Sequence, residues 1–394
     1  MTRLSEAILL IAHVSSLISR QIFMSSPALR SNSMPVIRQA SFHDHAAISA
    51  LESQGGLASK NYHEWTHLWM ENPIYSSFRH HWPIGWVLEH KDQVVGSFGN
   101  IPLLYEWNGQ SIMTATGRGW VVDPAYRTYA VLLLDEFFNQ PNVDLCLSTT
   151  ANLDASRILT AMGALPVPVG SWDKSEVWIT NYRGFTKAWL SRRQLPAALA
   201  YVLAPALFAK GTVTRKELKI KESAARVERC TGFDERFDEF WSTLRAQKPD
   251  SLLAVRTRPL LEWHFRHSLL QNKLWILTIC HQERLTAYAI FMKQENPAFD
   301  MSQLLLVDFQ ALDGQDDLIY PILRVALEES HKQHIHVLEK IGLCVGNKNI
   351  AVAPHLRKRG FWSYYYKSKN SNLAKFLSNQ NAWAPSMLDG DSTL

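Results

Sequence analysis

Cysteine is scarce in this sequence: Cys146, Cys230, Cys280 and Cys344 are the whole supply in 394 residues. No two of them form a Cys-x-x-Cys pair, which excludes a zinc knuckle and a thiol-redox motif. So sparse a set predicts a reducing, cytoplasmic setting. Long apolar runs are missing too. The run over 7–18 is too short to span a bilayer and has no small-x-small cleavage site after it. The net charge is small, +5: 41 Lys and Arg face 36 Asp and Glu, too even a balance to predict a nucleic-acid partner. Nor is there a Walker loop, a G-x-G-x-x-G fingerprint or a G-x-S-x-G elbow.

What is present is apolar mass, at 46% of residues, with 14 Trp among it. Such a composition is globular, and at roughly 150 residues per domain it predicts two or three domains with sizeable cores. Residues 1–33 read as a flexible N-terminal extension, because a clear strand begins just after Met34-Pro35. Residues 36–40 form that strand, and Asp44 is a candidate N-cap for the apolar stripe of Ala46, Ala47, Ile48, Ala50 and Leu51. An aromatic stretch follows, from Tyr62 to Trp86. Strands are predicted at 86–89, 94–101, 103–107, 111–116 and 119–122, with Asn108-Gly109 as a hairpin turn. Residues 130–139 form a helix apolar nearly all round, 145–149 a strand, and 155–162 a helix closed by Gly163.

Residues 183–222 differ in character. Arg183, Lys187, Arg192, Arg193, Lys210, Arg215, Lys216, Lys219 and Lys221 are opposed, up to Lys221, by Glu217 alone. Within this insert, 195–209 carries no charge. Its first reading is a buried helix between domains; its second is peripheral membrane contact, with the apolar face in lipid and basic flanks on anionic headgroups. Beyond it the pattern of the first half returns. Glu64-Trp65 recurs as Glu262-Trp263, Val122-Asp123 as Val307-Asp308, and the Asn152…Gly163 pair as Asn349…Gly360. The order is kept, which predicts two copies of one α/β unit.

The chemistry-bearing feature of the first copy is a strand ending at Val121 and Val122, a turn through Asp123, Pro124 and Arg127, and then a helix. Backbone N–H groups at such a helix start can hold an anion such as a diphosphate, and Arg127 adds a cation. The ordered set resembles the GNAT superfamily of acyl-CoA-dependent N-acyltransferases. Arg38 and Asp44 match its opening. Val122, Pro124 and Arg127 match Val-x-Pro-x-x-Arg-x-x-Gly-x-Gly/Ala, and Asn152, Ala155 and Gly163 match Asn-x-x-Ala with its later Gly. The resemblance covers about 35–180, and a degenerate copy covers roughly 240–367. It implies two GNAT-like mixed-sheet units in tandem, each with flanking helices. The implied divisions are a GNAT-like domain at 34–182, the insert at 183–222, a second degenerate domain at 223–370 and a tail at 371–394.

By that resemblance the cosubstrate is an acyl-CoA, acetyl-CoA in the first instance, with no metal. Val121, Val122, Arg127, Thr128, Tyr129, Ala130, Val131, Leu132 and Asn152 would hold it, one strand amide facing the thioester carbonyl as an oxyanion donor. The acceptor is an amine or hydroxyl on a small molecule or a cell-surface precursor. Trp65, Trp69 and Trp82 are candidate acceptor walls. This chain departs from the pattern at Ala130 and Leu132, where the family has glycine. The acid Tyr falls at Leu159, and at Leu356 in the second copy. Tyr129 is the substitute acid and Asp123 a candidate base. Two other classes stay open. One is a non-catalytic scaffold that has lost its acid. The other is a zinc hydrolase built on His63-Glu64-Trp65-Thr66-His67, an H-E-x-x-H without a third-ligand pattern.

Overall fold

Val36–Gln39 (β1) leads into a tight turn because Ser41 and Asp44 form a capping box. Asp44 accepts the Ser41 N–H at 2.7 Å and pairs with Arg38 at 2.8 Å. The cap of the turn is therefore Ser41, and Asp44 is its third residue, before the helix His45–Gln54 (α1). The Arg38 guanidinium draws the Asp44 carboxyl down to about 2. The Arg and Asp of the opening motif thus clip α1 onto β1. This computed structural model describes residues 34–78, 80–168, 174–214, 225–342, 353–359 and 364–394. The expectations for 1–33, Asn349 and Gly360, and the basic residues Arg215, Lys216, Lys219 and Lys221, lie outside them.

Tyr62–Met70 (α2) and Pro73–Phe78 (α3) carry the aromatic stretch. Gly85–His90 (β2), Gln93–Trp107 (β3) and Gln110–Val122 (β4) then form an antiparallel meander. Its two turns, Lys91-Asp92 and Asn108-Gly109, have positive φ throughout, the twist that suits a two-residue hairpin. The strands expected separately at 94–101 and 103–107 run as one, as do those at 111–116 and 119–122. Ala130–Asn139 (α4), Leu145–Ser148 (β5), Leu153–Ala161 (α5) and Leu165–Pro166 (β6) follow. Lys174–Ile179 (β7), Tyr182–Arg192 (α6) and Ala200–Thr214 (α7) cross to the second half.

The second half runs Val227–Cys230 (β8), Arg236–Gln247 (α8), Leu253–Ala254 (β9), Arg258–Leu270 (α9), Leu274–His281 (β10), Arg284–Asn296 (β11) and Met301–Ala311 (β12). Ile319–Lys332 (α10), Val337–Ile341 (β13), Leu356–Arg359 (β14), Tyr365–Ser368 (β15) and Ser371–Leu377 (α11) complete it. The first sheet is ordered β1-β2-β3-β4-β5-β15-β6, with β9 added on β3; the second is β8-β10-β11-β12-β13-β7-β14. Position by position the seven-strand orders match. Each has a parallel pair at its middle, β4 with β5 and β12 with β13. Each also takes its sixth strand from the other half: β7 sits between β13 and β14, and β15 between β5 and β6. The two sheets therefore do not separate at a single point of the chain.

Three expected details change. Val307-Asp308 lies inside β12, whereas Asp123 follows β4. Asp308 is fully buried on Arg256 at 2.8 Å, so it is not a counterpart of the Asp123 turn. The basic run Arg357-Lys358-Arg359, whose sequence reads as a solvated helix end, is instead part of β14, where Arg357 pairs with Glu176 at 2.8 Å. The third concerns the uncharged run of the insert. Its helix α7 is not buried: Val202 is 73% and Tyr201 64% exposed, while only Ala200 and Ala204 of its first five residues are covered.

Candidate functional site

β4 and β5 pair only over Thr114–Thr116 and Leu145–Leu147, yet β4 runs on to Val122. Six residues of strand extend past the last pair, about 20 Å of edge. The Asp123 N–H donates to the Val95 carbonyl of β3 at 2.8 Å. Strand alternation then turns the Val122 N–H to the opposite edge, the one β5 has left. A bulge against β3 sets this geometry, where the register shifts between Ser97 and Gly99. Gly119 lies in the bulge at φ +62, and a Cβ there would strike the Glu52 carboxylate.

Charged groups gather at this parting. Glu52, on α1, accepts from Arg118 of β4 at 2.8 Å in a largely buried pair. Lys60 lies near both; burial and the Arg118 charge hold its pKa down, against Glu64, Glu52 and Asp391. From the β5 side, Thr149 and Thr150 donate their hydroxyls to Asp391 at 3.0 and 3.2 Å. Gly390, at φ +85, packs directly on Thr149 and leaves no room for a side chain. Burial raises the Asp391 carboxyl above the usual range, while Arg118 pulls it the other way. A small cavity lined by Glu52, Trp65, Trp69, Ser97, Arg118 and Gly119 has room for no more than about one water. Three buried polar atoms along the bulged strands have no hydrogen-bond partner among the described residues: Ser97 Oγ, Thr116 Oγ1 and Trp120 Nε1.

The turn after β4 is a 3-10 helix, Pro124–Tyr129. Asp123 caps it, accepting the Ala125 N–H at 2.8 Å, and its carbonyl takes the Tyr126 N–H at 2.8 Å. The Ala130 N–H donates to the Arg127 carbonyl. Arg127 and Thr128 are exposed, Tyr129 is half-buried on the core, and Val131 and Leu132 face outward from the first turn of α4. The leucine therefore does not plug the strand cleft. Asn152 caps α5 through the Ala155 N–H at 2.8 Å. Leu159, where the family has its acid, is buried in the core.

The aromatic walls divide. Trp65 and Trp69 line the cavity; Trp82 does not. The indoles of Trp69 and Trp82 both donate to the Asn100 carbonyl, at 2.7 and 3.1 Å, so each is anchored in the core. In the H-E-x-x-H stretch His63 is exposed, while His67 is buried and donates to the Trp263 carbonyl at 2.8 Å. No group of three metal-ligating side chains occurs among the described residues.

Of the residues the sequence singles out, Val121, Val122 and the turn lie beside the parting. Glu52, Lys60, Arg118, Thr149 and Asp391, which also gather there, are not among them. One signal was available for Arg118: two glycines flank it inside a strand, which marks a bulge or a close approach. For Asp391 there was none, since it lies 242 residues from Thr149.

No family model matches the chain, and no curated protein matches it. Solved structures do. A GCN5-related N-acetyltransferase from Anabaena variabilis superposes at TM-score 0.52 and 12% identity, over 85% of this chain and 73% of that one. N-myristoyltransferase from Saccharomyces cerevisiae, with bound myristoyl-CoA, superposes at 0.53 and 11%, over 87% and 81%. A probable N-acyltransferase from Enterococcus faecalis gives 0.51 and 9%, over 85% and 73%. At such identities the likeness is one of fold. The chain has the mixed α/β architecture of the GNAT and N-myristoyltransferase structures, two mixed sheets in tandem with flanking helices.

Proposed function

We propose that the chain transfers an acyl group from an acyl-CoA to an amine or hydroxyl acceptor. The observation that carries this is the parting of β4 from β5, with the Val122 N–H turned to the vacated edge. The residues present suit an amide-rich arm along that edge, because the strand amides past Thr116 face no strand there, and polar groups with no partner among the described residues, Ser97 Oγ, Thr116 Oγ1 and Trp120 Nε1, lie along the same strands. When bound, the thioester would supply the activated acyl group; as the acceptor–acyl bond forms the C–S bond breaks, and the thiol leaves with a proton from Tyr129 or water, since Leu159 has none to give. The chain's own parts then divide the work. The Val122 N–H faces the acyl carbonyl as charge develops on its oxygen. Arg127, exposed on the turn, offers a cation to the diphosphate. Asp391, held by two threonine hydroxyls and raised by burial, takes the acceptor's proton, a better placed base than Asp123, whose carboxylate caps the turn. Trp65 and Trp69 wall the acceptor side. Acetyl-CoA remains the first cosubstrate to try, and a small molecule or cell-surface precursor the acceptor class.

Isothermal calorimetry with acetyl-, octanoyl- and myristoyl-CoA tests the reading. Saturable binding of at least one, weakened by Val122→Pro, is expected, since proline removes that amide. No heat with any chain length would end it. Binding without thiol release, across a panel of amines and alcohols, would favour the scaffold reading, which Leu159 in the acid position supports.

A further inference from the structure

The α6–α7 hairpin is a surface feature that acyl transfer does not explain. Residues 181–214 hold Arg183, Lys187, Arg192, Arg193 and Lys210 and not one Asp or Glu. The link between the helices and the outer face of α7 are apolar and exposed: Leu195 at 43%, Leu199 at 44%, then Tyr201 and Val202. At 100° per residue, Tyr201, Val202, Pro205, Ala206 and Phe208 share one broad face, while Ala200 and Ala204 turn to the protein. Cations stand beside that face. The Arg183 guanidinium lies over the Tyr201 ring at 4.3 Å, and that of Arg193 over Trp189 at 4.4 Å. Contiguous apolar exposure of this kind marks an interaction site rather than scattered surface.

From this we infer that the hairpin docks on an anionic lipid surface. Leu195, Leu199 and Val202 enter the acyl boundary, and Arg183, Arg192 and Arg193 meet the headgroups. Charge complementarity chooses the occupant. Asp300, just before β12, pairs with Lys187 at 3.3 Å, which leaves Arg183, Arg192 and Arg193 as a cationic rim around an uncharged apolar face; such a rim matches an anionic membrane and would repel the same rim on a second copy. No helix among the described residues is long and apolar enough to cross a membrane, so the contact is peripheral. The inference stands apart from the acyl-transfer reading, because it uses none of the same residues.

The test is cosedimentation of the full chain with vesicles of phosphatidylcholine alone and of phosphatidylcholine with phosphatidylglycerol. We expect binding to the mixed vesicles at low salt and little to the neutral ones. Leu199→Ser with Val202→Ser should weaken that binding at least about tenfold, because it removes two large apolar groups and adds no charge. Arg193→Gln should weaken it about fivefold. All three positions are on the surface, so melting temperatures should stay with the wild type. Absence of binding to mixed vesicles would overturn the inference, as would unchanged binding by the double variant. A concentration-dependent dimer in sedimentation equilibrium, abolished by that same variant, would assign the face to a second copy instead.

Discussion

His67 and Trp263 hold each other by two reciprocal hydrogen bonds. His67 Nε2 donates to the Trp263 carbonyl at 2.8 Å, and Trp263 Nε1 donates to the His67 carbonyl at 3.1 Å. They are 196 residues apart, as are the caps of their helices, Asn61 and Thr257. The buried faces agree with that spacing: Trp65 and Trp69 on α2 answer to Leu261 and Phe265 on α9. So α2 and α9 meet across an approximate twofold. The repeated Glu-Trp pair is two residues out of this register, and its two tryptophans are not counterparts.

The relationship predicts the fate of the H-E-x-x-H stretch. His67 Nε2 is donating to a carbonyl, Nδ1 lies 3.4 Å from the Glu71 carboxylate, and no group of three metal-ligating side chains surrounds it among the described residues. His67→Ala should lower stability by about 1–3 kcal/mol, since it leaves the buried Trp263 carbonyl without its donor. Metal content of the purified protein, measured by mass spectrometry, should not change with the substitution. Zinc present in the wild type and lost in the variant would reverse this.

A second prediction concerns the buried ion pair. Arg256 and Asp308 are 1% and 0% exposed, and Tyr288 donates to the same carboxylate at 3.2 Å. Removing one partner strands a charge in the interior. Asp308→Ala should cost about 3–5 kcal/mol in urea unfolding. A cost below about 1 kcal/mol would mean that water reaches Arg256.

The pH dependence has two opposed parts. His264 is buried against Thr393 at 2.7 Å, and burial holds its pKa down to about 3. Its unfolded form takes up a proton that its folded form refuses. That stability is complete above about pH 6.5 and drains away as the pH falls towards 3. Asp389 is pushed up to about 6 by burial, although it accepts from Tyr105. Folded, it keeps a proton that the unfolded chain releases, so its contribution is best below about pH 4 and is lost as the pH rises through 6. Between pH 6 and 4.5 the two offset each other. His264→Gln removes only the first, so the variant should gain on the wild type by about 1 kcal/mol per pH unit on acidification. Calorimetric melting across that window measures it; parallel curves would show that His264 is hydrated.

Much of the fold was legible because its signals are local. Asn108-Gly109 marks a primed turn, Gly163 closes its helix at φ +82, and the apolar run at 130–139 coincides with α4. What was not legible depends on distant partners. Nothing near Lys174 or Tyr365 states that β7 and β15 exchange sheets, since an apolar strand fits either neighbour. The uncharged run in α7 showed hydrophobicity but not what covers it. The site divides in the same way. The turn after β4 is a local motif, whereas Asp391 reaches Thr149 only through the path of the whole second half.

That long-range contact gives the sharpest prediction for the chemistry. If Asp391 accepts the acceptor's proton, Asp391→Asn should lower kcat by about 10²–10⁴ and leave KM nearly unchanged. Thr149→Val should keep most of the activity but move the acid limb of the pH–rate profile upward. The reason is that the Thr149 hydroxyl, at 3.0 Å, stabilises the ionised carboxylate, and its loss makes the proton harder to remove. A purely structural role for Asp391 would lower stability and kcat together without moving that limb. The profile, taken with the acyl-CoA that binds and the acceptor that turns over, separates the two: an unmoved limb in Thr149→Val assigns the proton to another group.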